Sequence, residues 1–112
     1  MSHPEFQLQK SIIDYLVVFR RKDVFYFHPF NKASSPREGK MAKLMGVVAG
    51  VPDLIFFQDE TAWCLELKVE DGKLSDAQKE TIPIIEHCGI DVEIAYGFKD
   101  ALRILKKRGA LR

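Results

Sequence analysis

The stretch Gly50-Val51-Pro52-Asp53-Leu54-Ile55-Phe56-Phe57, followed by Trp63-Cys64-Leu65-Glu66-Leu67-Lys68, decides the fold. Both segments are short and rich in aromatic or branched residues, with turn-type residues between them, so they read as a hairpin. A turn centred on Asp59 and Glu60 sets Gln58 against Thr61. Counting outward then pairs Phe57 with Ala62, Ile55 with Cys64 and Asp53 with Glu66. Opposed residues of an antiparallel pair share a face, with Cβ atoms roughly 4.5–5.5 Å apart. Lys68 falls on that face too, about 6–7 Å further along.

Two opposed carboxylates repel, which makes the pairing of Asp53 with Glu66 unfavourable by itself. A divalent cation between them reverses the sign, because hard cations such as Mg²⁺ take oxygen ligands from one or two carboxylates plus water. A lysine beside such a pair completes a site suited to attack on a phosphodiester. The bland alternative is a solvated hairpin end, and the apolar Ile55, Phe57, Ala62 and Cys64 on the same face weigh against it.

The order Pro52-Asp53, then Glu66-Leu67-Lys68, resembles the PD-(D/E)xK nuclease signature. The longer string Gly50-x-Pro52-Asp53, Glu66-x-Lys68, Gly72-Lys73-Leu74-Ser75 and Gln78 resembles the VRR-NUC branch, the virus-type replication-repair nuclease domain, which is similar to Holliday-junction resolvases. The resemblance spans most of the chain. It implies an αβββαβ core and a metal-dependent DNA endonuclease using Mg²⁺ or Mn²⁺. Asp53 and Glu66 would be metal ligands, with the Leu67 carbonyl as a third and Glu5 reaching in from the first helix. Lys68 would be catalytic, and Gln78 would support it beside the active site. A four-way junction cut by a homodimer is the substrate this suggests. Flap- or nick-directed cleavage is the nearest alternative, and a non-catalytic DNA-binding module is the reading from another class.

Length supports one domain over residues 1–112. An apolar fraction of 46% and a charged fraction of 29% are those of a folded chain, not a disordered one. No apolar run approaches the ~20 residues a membrane helix needs, and no signal-peptide pattern opens the chain. The two cysteines, Cys64 and Cys88, read as buried free thiols of an intracellular protein.

Net charge is only +1, yet it is segregated. Residues 31–49 set Lys32, Arg37, Lys40 and Lys43 against Glu38, and residues 99–112 are also basic. The acids concentrate between residues 50 and 98. A basic track beside an acidic site is what binding a polyanion at a metal centre requires. Lys32, Arg37, Lys40 and Lys43 are therefore the candidate DNA contacts. The C-terminal charges also fit the solvated face of a helix.

In chain order, residues 4–20 read as a helix with Leu8, Ile12, Tyr15, Leu16 and Phe19 on one stripe. Glu5 lies on the line of Gln9, Ile12 and Leu16, and an acid there also suits the helix dipole. Val24 to His28 is a strand, with His28 read as structural. Lys32 to Lys40 reads as a mobile loop, and Met41 to Val48 as a short helix. Gly50 suits a positive φ or a close backbone approach. Ser75 to Gln78 is a capping box opening a helix to about Cys88, in which Pro83 should produce a kink or a restart. Asp91 to Tyr96 is the last strand and Lys99 to Arg108 the last helix. A mixed central sheet flanked by helices follows, with the final crossover parallel.

Overall fold

The computed structural model describes residues 3–29 and 35–112. Its elements are α1 (Pro4–Phe19), β1 (Phe25–Phe27), α2 (Pro36–Leu44), β2 (Leu54–Gln58), β3 (Thr61–Lys68), α3 (Asp76–His87), β4 (Asp91–Tyr96) and α4 (Phe98–Lys107). Their order and types are those expected. The sheet runs β1-β2-β3-β4, antiparallel for the first two pairs and parallel for β3 with β4. No helix among the described residues is long and apolar enough to cross a membrane.

The hairpin closes through Asp59 and Glu60, with φ of 52° and 61°. Two consecutive residues with positive φ are the mark of a two-residue type I′ turn, whose twist matches that of the strands. The register that results pairs Gln58 with Thr61, Phe57 with Ala62 and Ile55 with Cys64, ending at Leu54 with Leu65. Asp53 lies one residue before β2, still opposite Glu66 but free of the ladder.

Alternation then sorts the side chains. Leu54, Phe56, Trp63, Leu65 and Leu67 point into a dry core with Ile12 and Leu16 of α1 and Ala101, Ile104 and Leu105 of α4. Phe56 stacks on Trp63 with centroids 4.4 Å apart. Gln58 is the buried polar residue of this layer, and both ends of its amide are used. It donates to the Arg108 carbonyl at 2.7 Å and accepts from the Trp63 indole at 2.9 Å. The opposite face carries Ile55, Phe57, Cys64, Glu66 and Lys68.

Several expectations change. The segment read as a loop up to Lys40 is helical from Pro36, and that helix stops at Leu44 instead of Val48. Ser35 caps it by accepting from the Glu38 amide at 3.2 Å, and Pro36 supplies a helical φ where its missing N–H costs nothing. Residues 30–34, including Lys32, lie outside the described residues. Cys88 is exposed, because it caps the end of α3 beyond the last inward-facing turn, whereas Cys64 is buried. Phe19 is exposed and Tyr15 half-buried, so α1 buries only Ile12 and Leu16 fully. Pro83 neither ends nor restarts α3, which runs unbroken from Asp76 to His87. In α4, Ile104 joins Ala101 and Leu105 in the core while Leu102 is only half-buried.

Gly50 meets both reasons for a glycine. Its φ is +83°, and a Cβ there would stand within 2.9 Å of the Gln78 nitrogen and closer still to the Ala77 carbonyl. Thr81 donates to the Ala49 carbonyl at 2.8 Å, so the chain entering β2 is pressed onto the start of α3. Gly46 is a natural control, with φ +93° but nothing within 4 Å. Denaturant unfolding of Gly46→Ala should show about 1 kcal/mol lost to the left-handed backbone. Gly50→Ala should lose roughly 2–4 kcal/mol, because overpacking adds to the same strain. Equal losses at the two positions would mean that the close approach is unimportant.

Candidate active site

Four residues expected at the site are brought together by three elements. Asp53 precedes β2, Glu66 and Lys68 alternate on β3, and Gln78 lies in the first turn of α3. The Asp53 carboxylate accepts from the Leu67 N–H at 2.8 Å, which ties it to the partner strand. Glu66 is almost wholly buried, and its Oε2 accepts from the Gln78 amide at 2.6 Å. Lys68 Nζ is 3.7 Å from that same oxygen and 3.7 Å from Glu5 Oε1. These are ion-pair distances, too long for hydrogen bonds.

Gln78 serves two structures at once. Its carbonyl oxygen accepts from the Ser75 N–H at 2.8 Å while Ser75 Oγ accepts from the Gln78 N–H at 3.2 Å, completing the capping box. Its Nε2 remains for Glu66. The capping role and the site role therefore do not compete.

The electrostatics are unfavourable as they stand. Burial first, then the Asp53 charge, pushes the Glu66 carboxyl from 4.5 up to about 8, while Lys68 pulls the other way. Burial also raises Asp53, opposed by the Leu67 N–H and by His28. Glu66 Oε1 is buried and, among the described residues, makes no well-formed hydrogen bond, although the Asp53 backbone N–H also favours the ionised carboxyl. Such orphaned oxygens are rare in folded proteins and call for an explanation. A divalent cation would satisfy the oxygen and offset the repulsion, so Asp53 and Glu66 fit that group.

Glu5 is placed differently. Its carboxylate is largely exposed and set against Lys68. Among the described residues no three His, Cys, Asp or Glu side chains converge as a metal-binding group. Glu5 is nonetheless near the Asp53–Glu66 pair, paired with Lys68 and raising both carboxyls by its charge. Leu67 enters by its N–H on Asp53. Arg37, Lys40 and Lys43 are exposed on α2.

His28 is the neighbour that the sequence reading left as structural. Its Nδ1 lies 2.6 Å from the Asp53 carbonyl oxygen and, as N–H, donates to it. The signal for this contact is the pairing of β1 with β2, which sets Phe27 against Ile55. That pairing joins segments far apart in sequence, so local pattern does not show it.

The model of the VRR-NUC domain family matches residues 22–99, more than half of the chain. The chain belongs to the VRR-NUC family. As a VRR-NUC protein it is a nuclease of the PD-(D/E)xK superfamily, with DNA as the implied substrate, and the family generally uses divalent metal ions. A solved structure described as a VRR_NUC domain protein superposes with a TM-score of 0.74 at 24% identity. The match covers 96% of this chain and 88% of that one, which shows the shared fold. No curated protein matches.

The raised Glu66 makes a statement about the metal-free protein. Below pH 4.5 both folded and unfolded chains hold the proton. Between 4.5 and about 8 the unfolded chain releases it while the folded chain keeps it, so stability falls as pH rises. Unfolding in chelator should therefore show lower stability at pH 8 than at pH 5. Glu66→Gln should flatten that dependence and raise stability at pH 8. A wild-type protein with equal stability at both pH values would contradict the strained-carboxylate picture.

Proposed function

We propose that this VRR-NUC domain is a metal-dependent endonuclease for branched DNA, acting as a homodimer on four-way junctions. The observation that carries the reading is that Asp53 and Lys68 both act on the Glu66 carboxylate, one oxygen of which is buried without a hydrogen-bond partner among the described residues. Asp53 and Glu66 would hold Mg²⁺ or Mn²⁺, with the Leu67 carbonyl and Glu5 completing the neighbourhood. When bound, such an ion acts as a Lewis acid on the phosphate and lowers the pKa of water.

The remaining roles belong to the chain itself. Lys68, held between Glu66 and Glu5, offers a fixed positive charge to the phosphorus as negative charge builds in the transition state. Gln78 keeps one Glu66 oxygen engaged and thereby orients the other. His28 and the Leu67 N–H anchor Asp53 from two sides. Arg37, Lys40 and Lys43 would meet the DNA backbone, with Lys32 nearby in sequence. We take residues 1–112 as one domain.

Phosphate contacts position a protein on DNA without reading sequence, so DNA shape is the favoured basis of selection. A junction has near two-fold symmetry and needs two opposed cuts, which a two-fold dimer with two sites supplies. Flap- or nick-directed cleavage is the second enzymatic reading. A non-catalytic binding module is disfavoured, since neither carboxylate nor the lysine is missing.

The test is cleavage of a matched junction, flap and duplex with and without divalent metal. Asp53→Ala and Glu66→Ala should each abolish cleavage in a folded protein, and Lys68→Ala should lower kcat by roughly 10²–10³. Near wild-type turnover in any of the three would sink the site assignment. Equal rates on junction and duplex would leave a general nuclease. A further measurement addresses α2. Replacing Arg37, Lys40 and Lys43 by alanine should flatten the salt dependence of binding by about 0.9 for each phosphate no longer neutralised. An unchanged slope would remove α2 from the DNA surface.

A further inference from the structure

Two apolar surfaces remain uncovered, and their chemistry is complementary. The first is on the open face of the sheet. Phe25, Phe27 and Phe57 are 61%, 38% and 46% exposed. Their rings gather with centroids 5.9–6.1 Å apart, Phe25 lying parallel to Phe57. Among the described residues β1 is the outer strand of the sheet. Toward the hairpin turn Phe25 and Phe57 line an open groove with Asp23, Asp59 and Glu60. Arg21 is committed to Asp23 at 2.7 Å and Asp59 at 3.3 Å. Lys22 borders Phe25 in a neighbouring depression, outside this groove. An acidic rim of this kind disfavours a phosphate backbone.

The second surface is α2, none of whose residues is buried. Leu44 and the capping Met45 are 80% and 82% exposed, and Met41 is 54% exposed. At about 100° per residue, Arg37, Met41, Leu44 and Met45 fall on one stripe, while Lys40 and Lys43 fall on the stripe beside it. Methionine packs well against aromatic rings, and Arg37 on the apolar stripe suits an acidic rim.

We propose that two copies of this chain associate by seating the Met41–Leu44–Met45 stripe of each α2 on the Phe25–Phe27–Phe57 face of the other. Arg37 then faces Glu60 on a rim whose Asp23 and Asp59 are already paired with Arg21. This interface rests on the homodimer reading above and deepens it. Both surfaces stay exposed within one chain, so neither is satisfied by the other in the monomer. The three rings expose roughly 300 Å² together, at the scale that marks an interaction site. A stable interface needs about 800 Å² per partner. A two-fold axis doubles the contact, since each copy contributes both its helix and its face. The docked arrangement leaves the Lys40–Lys43 stripe of each copy free for DNA, while Arg37, the third candidate DNA contact of this helix, is taken up by the interface.

The test is sedimentation velocity without DNA or metal, using two variants at exposed positions. One carries Leu44→Asp and Met45→Asp, which spoils the helix. The other carries Phe25→Ser and Phe57→Ser, which spoils the face. The wild type should be dimeric, and each variant alone should lose affinity by roughly 100-fold or more. Their equimolar mixture should recover a dimer, because the intact helix of one variant meets the intact face of the other. A monomeric wild type, dimeric variants, or a mixture that stays monomeric beside a dimeric wild type would each overturn the proposal. If the serine variant does not fold by circular dichroism, the pair Arg37→Glu and Glu60→Arg replaces it. Each single reversal should weaken the dimer and the double should restore it, and failure of that restoration overturns the proposal equally. Because no DNA enters the measurement, its failure leaves the nuclease reading to the cleavage assay. A cleavage-inactive protein that still dimerises in this way leaves the interface standing.

Discussion

The opposition of Asp53 to a buried Glu66 is the constraint around which the rest of the chain is arranged. A like-charged pair in a poorly solvated place would normally be relieved by a small shift of either strand. Here two hydrogen bonds and the hairpin register oppose such a shift. The Leu67 N–H holds Asp53 at 2.8 Å, and the Gln78 amide holds Glu66 at 2.6 Å. A slip of one residue in the hairpin would send Phe56 and Trp63 out of the core and is therefore far more costly. The tension is kept in place by packing on the opposite face of the sheet, where Leu54, Phe56, Leu65 and Leu67 are buried with α1 and α4.

Gly50 and Gln78 show how the third element is added to the two strands. The tight contact of Gly50 with Ala77 fixes the height of the α3 N-terminus against the chain entering β2. The capping box fixes the rotation of Gln78 around that N-terminus. Once both are set, the Gln78 amide has one free end, and that end meets Glu66. A residue with a full structural explanation is thus also a positioning residue. The two accounts describe opposite ends of one side chain.

What was legible in the sequence follows the range of the interactions involved. The β2–β3 register could be counted because a two-residue turn and alternating side chains are local, and with it came the juxtaposition of Asp53, Glu66 and Lys68. The capping box at Ser75 was legible for the same reason. The start of α2 is masked in the sequence because small and basic residues resemble a linker, although Ser35, Pro36 and Glu38 carry an N-terminal signal. Long-range placement was harder. His28 reaches Asp53 only because β1 lies beside β2, and Glu5 reaches Lys68 only because α1 crosses the core. Helical spacing places Glu5 on the line of Ile12 and Leu16 but does not specify its partner. In the structure Glu5 pairs with Lys68, and its charge also acts directly on Asp53 and Glu66, raising both carboxyls.

The distribution of charge separates two basic regions that look alike in sequence. In the C-terminal region Lys107 and Arg108 are bound to Glu93, each at 2.8 Å, and Arg108 also reaches Asp91 at 3.0 Å. Arg103 pairs with Asp100 at 2.8 Å within α4 itself. Arg108 further lies over the Trp63 ring, 5.2 Å from its centroid, on the side of the sheet that carries the core. Lys107 and Arg108 neutralise the acids of β4 and Arg103 that of α4, so these three are structural charges that offer little to a phosphate. Arg37, Lys40 and Lys43 instead project from a helix with no buried residue. That helix lies in the connection leading directly to Gly50 and Asp53. Positive charge that is exposed and joined by a short segment to the acidic site is the kind a polyanion can use. The segregation visible along the chain therefore resolves into two different settings, with Arg103, Lys107 and Arg108 held by acids and the cations of α2 exposed on their helix.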